Sequence, residues 1–455
     1  MTTNKTPTIL LLGTCDTKLQ ELLYTKASIT SQPPNNLKVL IMDIGRNPSS
    51  SPEVDIPQST LLKSPLQENP PPQARGDPNP DPDQTSAHEQ ELSTLDRDTY
   101  IKVLSRYAAA HICQLHRERQ IHAVLGIGGS CGTALATSAM RDGLPVGFPK
   151  LMVSTMASGD VSPYIGETDI GMMYSVVDIA GRNRVLDTVL RNAGSAIAGM
   201  ARSYCQGLLS SENQFDSSGT STGSTVRIGI SMFGVTTPAV TIARKHLESI
   251  LPGCEVYVFH ATGSGGRAME RLISEGQLDA ILDLTTTEIA DEVVGGVLSA
   301  GPRRLKSATE RDIPRVVSVG ACDMVNFGTF ESVPERFIND DTRTFHKHNP
   351  TVTIMRTTEE ECRDIANLLV KNIRGSSWTK VLLPTGGVSM VDTPGQPFWN
   401  PEVDQVLFST LEEGLRGSGI DIIRDERDIN HPEFAELAAE MLRDLIKAQD
   451  RDTTT

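Results

Sequence analysis

From Thr8 onward the chain repeats one pattern: a short apolar run, a loop rich in Gly, Ser, Thr and Asp, then a helical stretch. That alternation marks βαβ units, which close into a largely parallel sheet with helices on both faces. In the first half Thr8–Leu12, Leu37–Met42, Ala123–Ile127 and Lys150–Val153 read as strands. Helices are expected near Thr17–Ser28, over Tyr100–Gln120, from the loop after Ile127 through Arg141, and over Gly181–Tyr204. In the second half Val226–Met232, Glu255–Phe259, Ala280–Leu284, Arg315–Val319 and Val381–Leu383 read as strands. Thr237 is placed to cap a helix with Pro238 at its first position, and a closing helix is expected over Pro432–Lys447. The expected fold class is α/β, two Rossmann-like domains with mostly parallel sheets, and the shared pattern fits two copies of one fold.

Two stretches break the rhythm. Asn47 to about Ser93 is dense in Pro, Ser, Gln, Asn and Asp and is expected to be disordered, because it cannot bury enough apolar area to offset its ordering entropy. Ser210–Ser224 is Ser/Gly/Thr-rich and reads as a flexible linker. The expected domains are therefore 1–209 and 225–450, with a disordered tail over 451–455.

Composition narrows the function. The formal net charge is −15, which argues against general nucleic-acid binding, since phosphate contacts along a polymer need clustered Lys and Arg. Aromatic residues are 4% of the chain, too few for base-stacking platforms. Neither point excludes a nucleotide, because backbone N–H groups hold a phosphate with little net charge. Seven scattered cysteines without a CxxC pair fit reduced thiols rather than a zinc ribbon. No stretch is apolar enough to span a membrane. A cytoplasmic protein is expected.

Ligands of open α/β sheets sit outside the carboxyl ends of the strands, so the residues at each strand exit carry the functional reading. The first exit is Gly13-Thr14-Cys15-Asp16-Thr17-Lys18, which combines a glycine turn, hydroxyls, a helix N-terminus and a lysine. The second is Gly126-Ile127-Gly128-Gly129-Ser130-Cys131-Gly132-Thr133, whose glycines let backbone approach an anion; it is not a Walker A sequence. The third, Ser154-Thr155-Met156-Ala157-Ser158-Gly159-Asp160, adds small hydroxylated residues. Asp160 is placed either to hold Mg²⁺ with a nucleotide's phosphates or to cap the backbone. Three such loops in one domain point to a phosphate-bearing ligand. In the second half Gly263-x-Gly265-x-x-Ala268 matches the dinucleotide pattern, and Asp283 follows Gly263 at the NAD spacing. His260, Asp283, Glu288 and Asp323 are candidates for an acid/base or metal constellation, although each is also a common cap or turn residue. Asp291, Glu292, His346, His348 and Thr385-Gly386-Gly387 surround them.

Longer strings carry a resemblance: Gly13–Lys18, Gly126–Thr133, Lys150–Asp160, Tyr174–Gly181 (YSVVDIAG), Met232–Thr237 (MFGVTT), His260–Glu270 (HATGSGGRAME), Leu282–Glu288 (LDLTTTE), Asp323–Gly328 (DMVNFG) and Pro394–Trp399 (PGQPFW). They resemble the ATP-binding family typified by the N-terminal region of a tobamovirus-resistance protein of tomato, with bacterial and fungal members. The resemblance implies two Rossmann-like domains, ATP in the first, and a homodimer. By motif it points to Gly13–Lys18, Gly128–Thr133 and Ser154–Asp160 as the nucleotide loops. Within them, from the residue types alone, we select Gly13, Thr14, Asp16 and Lys18, Gly128, Gly129, Ser130, Gly132 and Thr133, and Ser154, Thr155, Gly159 and Asp160. Two departures stand out: the long segment 47–93, and Cys131 where glycine is expected. Three functions stay open. The first is an ATP-binding protein and candidate enzyme of small-molecule metabolism, with a small anionic substrate at the His260 loop, His260 as its acid/base and Asp283 and Asp323 as orienting or metal-binding carboxylates. The second is a non-catalytic module regulated by ATP. The third is an NAD-linked oxidoreductase using Gly263–Ala268.

Overall fold

The computed structural model describes residues 6–63, 92–217 and 225–452. The chain divides into two compact units, with the boundary at residues 222/223.

In the first unit the elements are β1 (Thr8–Gly13), α1 (Cys15–Thr30), β2 (Lys38–Asp43), α2 (Gln58–Leu61), α3 (Arg97–Arg117), β3 (Ala123–Gly128), α4 (Ser130–Gly143), β4 (Lys150–Ser154), α5 (Ser162–Ile165), β5 (Gly171–Tyr174) and α6 (Arg184–Ser217). The strands lie in the order β2-β1-β3-β4-β5, and every pair is parallel. β1, β3 and β4 are buried from end to end, as a parallel sheet covered on both faces requires. Alternate residues serve opposite faces. Leu10, Leu12 and Val124 meet Leu104, Ala108 and Ile112 of α3 and Ala136 and Met140 of α4. Ile9, Leu11 and Leu125 meet Leu22 and Ile29 of α1 and Leu190 and Ile197 of α6.

The second unit contains β6 (Arg227–Met232), α7 (Thr237–Ile250), β7 (Glu255–His260), α8 (Ser264–Ser274), β8 (Ala280–Thr285), α9 (Thr287–Val294), α10 (Lys306–Arg311), β9 (Arg315–Gly320), β10 (Met324–Phe327), α11 (Glu335–Ile338), β11 (Phe345–Asn349), β12 (Val352–Arg356), α12 (Glu359–Ile373), β13 (Thr379–Pro384), α13 (Pro401–Leu415), β14 (Asp421–Asp425) and α14 (Pro432–Asp452). Its main sheet runs β14-β13-β9-β8-β6-β7, again parallel throughout. A small antiparallel sheet, β10-β12-β11, is inserted between β9 and β13. α7 and α14 pack on one face through Val240, Leu247, Ala438 and Leu442. α12 and α13 pack on the other through Ile365, Leu369, Leu407 and Leu411.

Both sheets thus place their second strand outside the first and their third strand inside it. The expected α/β class with two parallel, Rossmann-like sheets holds, and the common strand order supports the expected relation between the halves. Three boundaries differ from expectation. Residues 47–63 take defined positions rather than disorder: Ile56 bridges Met42 in parallel, its N–H bonds to Ile41 O at 2.9 Å, and Asp55 accepts the Ile41 N–H at 2.8 Å. Ile56 is buried and its O accepts the Asp43 N–H at 2.9 Å, so one apolar side chain and two ladder bonds anchor a segment whose overall composition hides them. Residues 64–91 of that segment lie outside the described residues. α6 continues through Ser217, past the expected linker start at Ser210, and 218–224 lie outside the described residues. α14 extends to Asp452, into the expected tail, and 453–455 are likewise outside.

Candidate functional site

A sheet of this order forms a crevice where the connections leave its first and third strands in opposite directions. In the first unit that point is the carboxyl ends of β1 and β3, and a cleft of about 410 Å³ opens there. Thr14, Asp16 and Lys18 from the β1 exit and Gly129, Ser130 and Gly132 from the β3 exit line it, so the structure brings together two of the three expected loops.

The two helix N-termini at this cleft are not equivalent. Asp43, buried at the end of β2, accepts the Cys15 N–H at 3.0 Å, the Gly45 N–H at 2.8 Å and the Ser49 N–H at 2.9 Å. The start of α1 therefore already faces a carboxylate, and burial followed by that carboxylate pushes the Cys15 thiol well above its usual range. Lys18 turns its ammonium to Ile179 O at 2.6 Å. α4 differs. Its N-cap is Gly129, and no side chain caps it, so its first N–H groups and the positive end of its dipole meet the cleft. Gly128 permits this placement: a Cβ there would lie 2.9 Å from the Gly132 backbone. Behind the loop, the Thr133 and Ser154 hydroxyls share a 2.6 Å hydrogen bond, so both are wall rather than lining.

Five lining residues are not assigned to the site from the sequence: the apolar Ile44 and Leu135, and the polar Arg46, Arg97 and Tyr100. Arg97 lies across the start of α4, its Nη2 donating to Ser130 Oγ at 3.1 Å and its Nε to Cys131 Sγ at 3.0 Å. Arg46 donates to Leu95 O and lies over the Tyr100 ring at 5.8 Å. The Tyr100 hydroxyl donates to Ile44 O at 2.7 Å, and burial followed by nearby Asp16 pushes it above its usual range. Asp96 was the available signal. It caps α3 by accepting the Asp98 and Thr99 N–H groups, which fixes Arg97 as the first helical residue. The side chain at position 131, where glycine is expected, supplies a contact for Arg97. The third expected loop contributes less. Thr155 N–H bonds Gly128 O at 3.4 Å, Gly159 is exposed, and Asp160 caps the Ser162 N–H at 2.9 Å. Those Ser162 hydrogen bonds hold Asp160 below the usual carboxylate range. Of its two readings, the backbone cap is the one the structure displays.

At the corresponding point of the second unit the hydroxyls are already paired within the protein. Thr236 and Thr285 share a hydroxyl hydrogen bond of 2.8 Å, Ser231 Oγ accepts the Thr285 N–H at 2.9 Å, and Thr286 donates to Ser318 O at 3.0 Å. All five side chains are buried. The dinucleotide-like loop is also occupied from within: Glu288 Oε1 accepts the Gly263 N–H at 2.7 Å and the Gly266 N–H at 3.0 Å. A Cβ at Gly266 would fall 2.0 Å from that carboxylate, so the glycine there admits a side chain of the same chain. Asp283, at the NAD spacing, grips the buried Arg304 with both oxygens at 2.7 and 2.6 Å. Arg304 also reaches Glu288 at 2.8 Å and Glu270 at 3.3 Å. Burial opposes its charge, but these carboxylates outweigh it and raise its pKa. The NAD-linked expectation thus meets a loop and an acidic residue already committed to one buried ion network.

His260, Asp283 and Asp323 fall into three separate networks. His260 is exposed at the end of edge strand β7, stacked on Phe233 with ring centroids 5.7 Å apart. Asp323 is buried and accepts from Ser389 Oγ at 2.8 Å. Asp291 accepts the Asn326 and Leu298 N–H groups, and burial pushes it up to about 7. His346 and His348 lie on the half-exposed β11. Among the described residues no group of three or more His, Cys, Asp and Glu side chains is placed to hold a metal, and no helix is long and apolar enough to cross a membrane.

Comparison with known proteins places the whole chain. A UPF0261 protein of Clostridium tetani is 40% identical over 442 residues, covering 96% of this chain and 99% of that one. One of Rhizobium meliloti is 39% identical over 442 residues, covering 96% and 98%. The ToMV resistance protein Tm-1(GCR237) of Solanum lycopersicum is 38% identical over 415 residues, covering 90% of this chain but 52% of the tomato protein. Among solved structures, MurG of Acinetobacter baumannii aligns over 98% of this chain and 100% of its own at 10% identity and a TM-score of 0.18, too low to carry an argument. Residues 7–206 match the N-terminal domain and residues 225–446 the C-terminal domain of one family, and the chain belongs to that family, the uncharacterised protein family UPF0261.

Proposed function

We propose that the first unit binds ATP, with its phosphates at the start of α4 in the cleft between the exits of β1 and β3. One observation carries this reading: a helix N-terminus that no side chain caps opens into a cleft beneath a guanidinium, Arg97. Unpaired amide donors, a favourable dipole and a bidentate-capable cation are what a phosphate requires. Lys18 and Arg46 line the same cleft, and the resemblance of the Gly13 and Gly128 loops to an ATP-binding family gives the adenine nucleotide priority over other phosphates. Gly129, Ser130 and Gly132 form the phosphate seat, Thr14 and Asp16 its opposite rim, and Mg²⁺ arrives with the nucleotide. His260, Asp283 and Asp323 have no part in this binding.

Calorimetric titration of the full chain with MgATP, and in parallel with NAD, tests the reading. Saturable ATP binding is expected, unchanged in His260→Ala. Arg97→Ala should weaken it roughly 10- to 100-fold, the worth of one charge-assisted hydrogen bond of about 1.5–3 kcal/mol. Absence of saturable ATP binding by the folded wild type, or an Arg97→Ala affinity equal to wild type, defeats it.

A further inference from the structure

In the second unit the segment 385–400, between β13 and α13, lies over a cluster of three buried carboxylates. Asp323 follows β9, Asp392 belongs to the segment itself, and Asp404 sits in the first turn of α13; each is less than a tenth exposed. The segment is tied down along its length. The Thr385 N–H reaches Asp425 O at 2.7 Å, the Gly386 N–H reaches Arg427 O at 3.2 Å, Gly387 O accepts the Ile429 N–H at 2.9 Å, and Asp392 Oδ2 accepts the Val388 N–H at 3.0 Å. Val388 O accepts the Ala321 N–H at 2.9 Å, and the Met390 N–H reaches Val235 O at 3.0 Å. Ser389 Oγ donates to Asp323 Oδ2 at 2.8 Å, and Arg356 Nε donates to Phe398 O at 2.9 Å. Beneath it Phe398 packs with Val235, Ala321, Met324 and Ile354.

The charges do not balance. Arg356 pairs with Asp404 at 2.5 Å and stands 3.7 Å from Asp392. It is the one guanidinium in ion-pair contact with the three carboxylates among the described residues. The other groups packed around them are Cys322 beside Asp323, the buried Cys362 and the Arg343-paired Glu361 of α12, and His346 of β11, edge-on to Phe398. Asp323 Oδ1 and Asp392 Oδ1 are buried and accept no hydrogen bond. A bare carboxylate oxygen without partner or solvent is costly, whereas a protonated one becomes a donor.

We propose that segment 385–400 is a proton-held strap, kept down by protons retained within the Asp323–Asp392–Asp404 cluster and lifting when those protons leave. The strap bonds and the buried Asp323 Oδ1, which accepts no hydrogen bond, carry this; Asp392 Oδ1 also lacks a hydrogen bond and stands 3.7 Å from Arg356 Nη2. In the same direction, burial pushes all three carboxyls above their ordinary range, and for Asp392 the Asp323 and Asp404 charges push further. A carboxyl raised on folding stabilises the folded form fully at acid pH, and that stability is lost as pH rises through the folded value. Lifting therefore belongs to the neutral-to-alkaline range, and it uncovers Phe398 without unfolding the sheet.

Hydrogen–deuterium exchange of the full chain, corrected for intrinsic base catalysis, tests this. Protection of amides in 385–400 should fall by about tenfold or more from neutral to alkaline pH, while β8 and β9 stay protected. Asp392→Asn, which keeps a neutral donor, should flatten that dependence. Infrared difference spectra of the wild type add a reading that needs no variant: a protonated-carboxyl C=O band present at neutral pH and bleached on alkalinisation. Strap protection that is constant with pH, strap and sheet opening together, or no protonated-carboxyl band at neutral pH would overturn the proposal.

Discussion

The crevice between β1 and β3 and the point between β6 and β8 occupy the same place in the same strand order, but the protein has treated them in opposite ways. At the first, α4 begins with amides that no side chain caps, and Arg46, Arg97, Lys18 and backbone line an open cleft. At the second, Ser231, Thr236, Thr285 and Thr286 satisfy one another or nearby carbonyls, and Glu288 answers the glycine-loop amides. Topology decides where a ligand would sit; the next layer of side chains decides whether the donors there point at a ligand or at the protein. A carboxylate can play the part of the phosphate. Asp43 does so at α1 and Glu288 at α8, whereas no carboxylate is bonded to the start of α4.

If the second point is a structural core, breaking its ion network should damage stability and spare nucleotide binding. Arg304→Met removes the cation from Asp283, Glu288 and Glu270, all of them buried. Removing one partner of a buried ion network costs about 3–5 kcal/mol. The expected outcome is an urea-unfolding transition of the second unit at much lower midpoint, with the first unit's transition and ATP affinity retained. Equal loss from both units would dissolve the contrast between them.

The first unit offers the converse. Gly128→Ala would place a methyl 2.9 Å from the Gly132 backbone, and the neighbour is a helix start, not the end of a flexible side chain. Overpacking of this kind costs about 1–3 kcal/mol. It also pushes the α4 amides out of register with the cleft, so thermal stability and ATP affinity should fall together. A variant that loses stability while binding ATP as well as wild type would show that the α4 start is not the phosphate seat.

These two cases also show what a sequence reader can see. The central strands were legible because both faces are buried and the apolar run is unbroken: the expected Ala123–Ile127 is β3 less its final glycine. Five of the described strands are missing from the sequence reading: β5, β11 and β14 are short and half-exposed, and Phe345-His346-Lys347-His348-Asn349 carries a single apolar residue, while β10 and β12 are largely buried but only four and five residues long. At the site, glycine and hydroxyl loops announced themselves, but composition cannot tell an amide facing outward from one facing Glu288. That distinction depends on a carboxylate 25 residues away from Gly263 in sequence. Arg46 and Arg97 flank a Pro- and Ser-rich segment that draws attention away from both of its ends, although Asp96 marks the helix start at one of them.

The smallest effect separates the two hydroxyl sets most finely. Thr285→Val keeps the shape of a fully buried side chain and deletes its 2.8 Å bond to Thr236. Thr236 keeps its bonds to the Phe233 N–H and O at 3.0 and 3.1 Å, so no buried group is orphaned and the loss should be about 1 kcal/mol, with ATP binding unchanged. Thr14→Val deletes a hydroxyl whose partner, Thr17, is exposed. Its effect on stability should stay within about 0.5 kcal/mol, while ATP affinity falls roughly 2- to 10-fold if the Thr14 hydroxyl turns from Thr17 to the phosphate. Measuring both variants by thermal unfolding and by ATP titration gives four numbers with a required pattern: stability moves only in the first, affinity only in the second. The reverse pattern would exchange the roles assigned to the two switch points.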